Sequence, residues 1–223
     1  MSKLEIACFN AESAMIAQKA NADRVELCSG IEVGGTTPDL QTVMLVRQKL
    51  TIDLYVMIRP RGGNFVYSEV EFEQMKESIV AMKKLGVDGF VFGIVNPDKT
   101  IDQLRNTELI ELAKPFPCTF HRAFDEVSNV FKSLETVIEC GFTTILTSGT
   151  KRNVVEGMQV LKQLVIKASN RITIMPGGGL RSGNLAEISG IVQADFYHSS
   201  AIIDPTNVAD FNEIQALKSR LHD

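Results

Sequence analysis

Short apolar runs recur along the whole chain, and their regular spacing is the feature that most limits the fold. Runs such as "RVELC" and "LYVMI" begin about 20 to 35 residues apart, which is the spacing of βα units. Runs of this length between turn residues are typical of strands buried in a parallel sheet. They predict eight strands, at 4–8, 24–28, 54–58, 89–93, 118–122, 143–147, 172–176 and 195–199.

Segments with helical periodicity fill the intervals between these runs. One is predicted to begin with Thr37 as its N-cap and Pro38 as its first helical residue. A second opens with a capping box formed by Ser68 and Glu71. A third is predicted to end at Gly141, because glycine readily adopts the left-handed conformation that closes a helix. Strands and helices therefore alternate along the chain.

Eight βα units in 223 residues favour a single (β/α)8 barrel, the TIM barrel, over residues 1–223. The alternative is an open doubly wound sheet, which usually has fewer strands. No shift in composition marks a domain boundary. In a barrel, functional side chains are expected at the carboxyl ends of the strands and in the loops that follow them.

Composition excludes several classes of protein. The formal net charge is −4 and no basic cluster is interleaved with aromatic residues, so no nucleic acid is expected as a partner. No apolar stretch is long enough to span a membrane, and the N-terminus lacks a signal-peptide pattern. Four dispersed cysteines without a C-x-x-C motif are expected to be reduced thiols, which predicts a cytoplasmic protein.

Five ionisable side chains can point into one barrel without disturbing its apolar outer face. Side chains alternate along a strand, so the apolar neighbours of these residues would pack against the helices. Acids and bases that meet in a dry cavity shift each other's pKa values, as is common at functional sites. The five residues are Glu5, Glu26, Arg59, His121 and His198.

Two interpretations of this cluster are open. Glu5 and Glu26 could neutralise Arg59 and Arg61 in a structural ion-pair network. Alternatively, Glu26 is a general base, His121 a general acid, and the two arginines hold an anion and stabilise developing negative charge.

Other candidates lie on the same rim. Arg122 lies at the end of the fifth predicted strand, and Asp125 lies in the loop after it. Asp125 and His198 complete the set of candidate catalytic residues. A structural role is the alternative for each, and His222, near the C-terminus, is predicted to be a surface residue.

A glycine-rich turn follows the seventh strand. Gly177, Gly178 and Gly179 allow backbone N–H groups to approach a ligand, and the turn leads into a helix N-terminus. Ser199 and Ser200 add hydroxyl groups after the eighth strand. Because the loops after strands seven and eight often bind phosphate in barrels, these five residues are predicted to bind phosphate or another anion. A simple tight turn is the alternative.

Several motifs together resemble the CutC family of copper homeostasis proteins. They are RVELCSGIEVGGTTPD, VMIRPRGGNFVYS, DGFVFGIV, TFHRAFD, ILTSG, IMPGGGL and FYHSS, spread over nearly the whole chain. The resemblance implies a TIM barrel, a cytosolic location, a homo-oligomer and a function in copper homeostasis. It also implies Cu(I) coordination by cysteine, which carries over to Cys28 within the "ELCSG" motif.

The sequence gives limited independent support for copper. Cu(I) prefers thiolate and thioether ligands. Strand alternation leaves Cys28, with Met57 and Met175, as the sulfur group that could meet near the barrel mouth, although methionines on strands usually fill the core. The remaining thiols are predicted to lie away from the mouth: Cys8, Cys118 and Cys140.

Three functions therefore remain open. The first is copper handling. The second is an enzyme of lyase, isomerase or hydrolase type that acts on a small phosphorylated or carboxylated metabolite. The third is a non-catalytic anion sensor that uses the same pocket.

Overall fold

The structure, a computed structural model, describes residues 2–222, except for the side chain of His222, so the surface position predicted for that residue stays a prediction. The eight predicted strands are all present, each within two residues of its predicted bounds. They are β1 (Lys3–Cys8), β2 (Arg24–Leu27), β3 (Asp53–Met57), β4 (Gly89–Phe92), β5 (Cys118–Phe120), β6 (Thr144–Thr147), β7 (Thr173–Pro176) and β8 (Phe196–Ser199).

The strands form one parallel sheet that curves into a nearly closed barrel. Their order is β7-β6-β5-β4-β3-β2-β1-β8, so consecutive strands pair from β1 to β7, and β8 returns to pair with β1. At the remaining seam β7 packs against β8: a Cβ added to Gly177 would lie 3.1 Å from Cβ of His198. The predicted (β/α)8 barrel is confirmed.

In the described part of the chain, eight helices surround the sheet. They are α1 (Ala11–Lys19), α2 (Leu40–Lys49), α3 (Glu69–Lys83), α4 (Gln103–Ala113), α5 (Val130–Cys140), α6 (Val154–Ala168), α7 (Ser182–Val192) and α8 (Phe211–His222). Within residues 2–222, no helix is both long and apolar enough to cross a membrane.

Local capping explains where several helices begin and end. Ser68 and Glu71 form the predicted capping box of α3, and Gly141 ends α5 in the left-handed conformation. The prediction for α2 was wrong, because its N-cap is Asp39, whose carboxylate accepts the N–H of Thr42. The Thr37 hydroxyl instead accepts the backbone N–H of Arg59 and so ties the loop before α2 to the end of β3.

The main hydrophobic core lies between the sheet and the helices, and it separates the cysteines. Cys8, Cys118 and Cys140 are buried in this outer core, as strand alternation predicted for the first two. Cys28 belongs to a separate small cluster inside the barrel, with Tyr55, Met57 and Val91. Cys28 is therefore the cysteine that faces the barrel interior, where the inward-pointing polar side chains also lie.

Candidate functional site

A cavity of about 190 Å³ opens at the carboxyl ends of the strands. Four of the five side chains predicted to point inward line it: Glu26, Arg59, His121 and His198. All four are buried. The fifth, Glu5, is completely buried and hydrogen-bonds to His198. Alternation along the strands was thus sufficient to place these five side chains on the interior face.

Glu5 has a counter-ion that the sequence analysis missed. Arg24, at the start of β2, donates from Nε to Oε2 of Glu5 at 2.5 Å. The Arg24 guanidinium also lies 4.0 Å from the centre of the Tyr55 ring and 4.2 Å from that of Phe196. Arg24 has the same strand parity as Glu26, so its inward orientation could have been read from the sequence.

His198 connects this ion pair to the cavity. Its Nδ1 lies 2.7 Å from Oε1 of Glu5, and its Nε2 lies 3.8 Å from Oε2 of Glu26. Burial alone would lower the pKa of His198, but the hydrogen bond to Glu5 and the charges of Glu26 and Glu5 raise it. Burial alone would raise the pKa of Glu5, but Arg24 and His198 lower it. We call Glu5, Arg24 and His198 the floor of the site.

Glu26 lies between the floor and the open end of the cavity. Burial and the nearby charge of Glu5 raise its pKa to about 7, although the charges of His198 and Arg24 act in the opposite direction. Its Oε1 atom is buried without a hydrogen-bond partner among the described residues. A carboxyl group with this pKa can accept or release a proton near neutral pH.

His121 is held in one tautomer by the backbone. It follows β5 and caps a short 3-10 turn (Arg122–Glu126), where its Nδ1 accepts the N–H of Ala123 at 3.3 Å. Burial and the charge of Arg59 lower the pKa of His121 to about 3, so the ring is neutral and its proton is on Nε2. Nε2 has no partner among the described residues. A neutral His121 ring is suited to donate a hydrogen bond from Nε2, and it is less suited to the predicted role of general acid.

Arg59 has no carboxylate partner in the described part of the chain. Its guanidinium donates to the carbonyls of Val33, Gly35 and Gly63 at 2.7–2.8 Å and lies 4.7 Å from the ring centre of Phe65. The predicted pairing of Arg59 with Glu5 or Glu26 is therefore wrong, because Arg24 already neutralises Glu5 and Glu26 lies beside His198.

Arg61 and Asp125 do not line the cavity. Arg61 turns outward, because its Nε pairs with Glu71 at 2.5 Å at the start of α3. The predicted role of Arg61 as an anion ligand or as a partner of the interior acids is thus not supported by its position.

Asp125 is engaged in ordering the loop after β6. It accepts from the Thr147 hydroxyl at 2.5 Å and from the backbone N–H groups of Ser148 and Thr150 at 3.0 Å. It also forms an ion pair with Arg122 at 2.8 Å. The structure gives Asp125 a supporting position behind the cavity wall, rather than the predicted catalytic position.

The glycine-rich turn divides into two parts. Gly178 and Gly179 line the cavity with φ of 106° and 75°, values that favour glycine. A Cβ on Gly178 would lie 3.1 Å from Cζ of Arg122. Gly177 has a packing role instead, because a Cβ there would lie 2.4 Å from Cδ1 of Leu146. Of the three glycines predicted to bind an anion, Gly178 and Gly179 line the cavity and Gly177 does not.

Arg181, which the sequence analysis did not single out, completes the open end of the cavity. Its guanidinium donates to the hydroxyls of Ser199 (3.2 Å) and Ser200 (3.3 Å) and to the carbonyls of Leu180 and Ile202. The described residues offer it no carboxylate. Its position just after the glycine turn was the available signal. We call Arg59, His121, Arg122 and Arg181 the mouth of the site.

The sulfur atoms are less concentrated than predicted. Cys28 and Met57 line the cavity and lie side by side, both about 3.6 Å from the position of a Cβ on Gly35. Met175 is not with them, because its Sδ lies 3.5 Å from the Arg24 guanidinium. Burial and the nearby Glu26 charge raise the pKa of Cys28 well above its usual value.

One further group could coordinate a cation. Single ligand atoms of Glu5, Glu26 and His198 lie within 4.8 Å of one another. Arg24 already neutralises Glu5, so the two carboxylates of this group, Glu5 and Glu26, have less negative charge available for a cation than two free carboxylates would have.

Comparison with known proteins places this geometry in a family. The CutC family model matches residues 2–203. A human protein named copper homeostasis protein cutC homolog is 43% identical over 198 residues, covering 89% of this chain and 72% of the human protein. The mouse protein of the same name is 44% identical over the same length.

Solved structures give the same fold. CutC from Streptococcus agalactiae has a TM-score of 0.86 and 36% identity, covering 90% of this chain and 99% of that one. A phosphoribosylanthranilate isomerase from Thermotoga maritima has a TM-score of 0.65 at 16% identity, covering 100% of this chain and 99% of that one. The likeness to the isomerase shows the barrel fold alone.

Proposed function

Because this chain belongs to the CutC family, we propose that it acts in copper homeostasis, as the names of its human and mouse relatives state for those proteins. The observation that carries this proposal is 43% identity across 89% of the chain. A cytoplasmic location and a homo-oligomer belong to the same proposal. The four cysteines are free thiols, which suits a reducing compartment.

Cys28 is the residue proposed to bind copper as cargo. Its thiol and the Met57 thioether are the soft donors that line the cavity, and Cu(I) prefers such ligands. The raised pKa of Cys28 means that the free thiol is protonated, so binding must release a proton. Copper affinity is then expected to increase with pH.

A competitive Cu(I) titration under reducing conditions tests this proposal. The Cys28→Ser variant should lose tight stoichiometric binding. Cys118→Ser is the matched control, because Cys118 is equally buried but lies in the outer core. Equal loss in both variants, or in neither, would contradict the assignment of Cys28.

The second candidate function is binding of a small anionic metabolite by the cavity. The observation that favours it is the unpaired charge of Arg59, which is only 4% exposed and has no carboxylate partner within residues 2–222. A buried charge without a counter-ion is unfavourable, so an anion that enters the cavity would stabilise the folded state.

Phosphate provides a direct test of the anion pocket. At constant ionic strength, replacing chloride by phosphate should raise the melting temperature of the wild type in a concentration-dependent manner. The same increase in the Arg59→Met/Arg181→Met double variant would show that the effect does not come from the cavity. A bound compound that is turned over would indicate an enzyme of lyase, isomerase or hydrolase type, and one that is not would indicate a sensor.

A further inference from the structure

We propose that the cavity takes a ligand with two distinct ends: a phosphomonoester at one end and a carboxylate or carbonyl oxygen at the other. This inference rests on the anion pocket proposed above and assigns its two halves to different chemical groups. The mouth has donors on opposite sides of the barrel, since Arg59 follows β3 and Arg181 follows β7 in an eight-stranded sheet.

The side that follows β7 provides donors for a phosphate. The Arg181 Nε and the Arg122 Nη1 atoms have no hydrogen-bond acceptor among the described residues. The backbone N–H groups of Gly178 and Gly179 likewise have none there. Two guanidinium groups with free backbone amides suit the three oxygens and high charge of a phosphomonoester.

The absence of side chains at the turn is needed for this arrangement. The Arg122 guanidinium packs directly over Gly178, where a Cβ would be 3.2 Å from Nη1. The Ser200 hydroxyl, which also lines the cavity, lies 3.3 Å from Nη2 of Arg181. Gly178 therefore lets the side chain from the loop after β5 reach the donors that follow β7.

The opposite side provides donors for a single oxygen or a planar carboxylate. His121 is 3% exposed and its neutral ring carries the proton on Nε2, which has no partner among the described residues. The other ring nitrogen faces Ala123 and Gly93, so Nε2 lies on the opposite edge of the ring. Phe65 packs against both His121 and Arg59, with ring-centre distances of 4.8 Å and 4.7 Å.

The balance of charge explains why both ends are needed. Arg24 is paired with Glu5, and Arg122 is paired with Asp125. Arg59 and Arg181 have no such partner in the described part of the chain, and Glu26 is the cavity-lining carboxylate that opposes them. The lining thus retains positive charge on two separate sides, which matches a ligand with negative charge or electron-rich oxygen at each end.

Binding of matched probe pairs tests the proposal by calorimetry. The pairs are glycerol 3-phosphate with 3-phosphoglycerate, and sorbitol 6-phosphate with 6-phosphogluconate. Each pair differs by a carboxylate at the far end, and the two pairs differ in length. In at least one pair the carboxylate compound should bind wild type about tenfold more tightly, as expected for one added charge-assisted contact.

Two variants separate the ends of the site. Arg181→Met should weaken every phosphate compound, including inorganic phosphate, by about tenfold or more. Arg59→Met should remove only the preference for the carboxylate compound. Arg61→Met is the matched control, because Arg61 is two residues from Arg59 but pairs with Glu71 outside the cavity, and it should change neither. If Arg59→Met fails to fold, Arg59→Lys serves in its place, because it retains the charge but loses the planar fork.

The outcomes distinguish this inference from the proposal on which it depends. If phosphate binds through Arg181 but both pairs show equal affinities, the two-ended ligand is wrong and the anion pocket stands. A carboxylate preference that persists in both Arg59 variants would also overturn the inference. If none of the probes or inorganic phosphate binds, both ideas fail.

Discussion

The arginine in the floor of the cavity and two arginines in its mouth differ in the groups that they contact. On the floor, Arg24 pairs with Glu5 at 2.5 Å between two aromatic rings. In the mouth, Arg59 and Arg181 contact only carbonyl, hydroxyl and aromatic groups of the described residues. A compensated buried charge contributes to the folded structure, whereas an uncompensated one leaves an interaction for a ligand. The contrast separates structural from ligand-binding residues within one barrel.

Removing the floor carboxylate should give the largest change in stability. Glu5→Gln leaves Arg24 buried without a counter-ion and is expected to lower the free energy of unfolding by about 3–5 kcal/mol. Urea unfolding measures this change. Glu135→Gln is the control, because it breaks the exposed pair with Arg171, and it should leave the free energy of unfolding nearly unchanged. Similar losses of unfolding free energy in both variants would contradict the claim that the buried ion pair of the floor stabilises the fold more than an exposed one.

Replacing Glu26 by Gln should stabilise the folded protein, whereas the same replacement at Glu5 should destabilise it. The pKa of Glu26 is raised to about 7 by burial, so the charged form is disfavoured in the folded state once the pH exceeds the unfolded value of 4.5. Glu26→Gln should therefore be more stable than wild type by about 1–3 kcal/mol near pH 8. The gain should decrease towards zero as the pH falls to about 4.5. A loss of stability near pH 8 would show that Glu26 belongs with the floor.

The change in stability caused by His198→Gln should depend on pH less strongly than that caused by Glu26→Gln. Its direction should be the one expected when folding raises the pKa of a histidine. The hydrogen bond to Glu5 raises the pKa of His198 above 6.5, so protonated His198 stabilises the fold below that value. The stabilisation is lost as the pH increases through the folded-state pKa. The substitution should therefore be more destabilising near pH 6 than near pH 9. A difference that does not change with pH would contradict the assigned protonation.

Most of the fold could be predicted from the sequence. Apolar run length and spacing were sufficient for all eight strands, and the Ser68–Glu71 and Gly141 signals fixed helix ends. The N-cap of α2 was misplaced by two residues, because Thr37 and Asp39 are both good capping types and only the tertiary contact of Thr37 with Arg59 decides between them.

The site could be predicted only in part. Strand alternation gives the face of each side chain, so Glu26, His121 and His198 were correctly placed inside the barrel. Alternation does not show which side chains form ion pairs, because pairing depends on the height of each side chain along the barrel axis. Arg24 was therefore missed as the partner of Glu5, and Arg61, which lies in a loop without periodicity, was assigned to the wrong side of the wall.

The central claim is that the mouth carries positive charge that lacks a carboxylate. Ser200→Asp, compared with Ser200→Asn, tests it most directly, because Ser200 contacts Arg181 and the two substitutions differ only in charge. In low-salt buffer without phosphate, the Asp variant should be more stable to urea than the Asn variant by about 0.5–1 kcal/mol. The difference should disappear at about 1 M salt. An Asp variant that is equally or less stable at low salt would contradict the account.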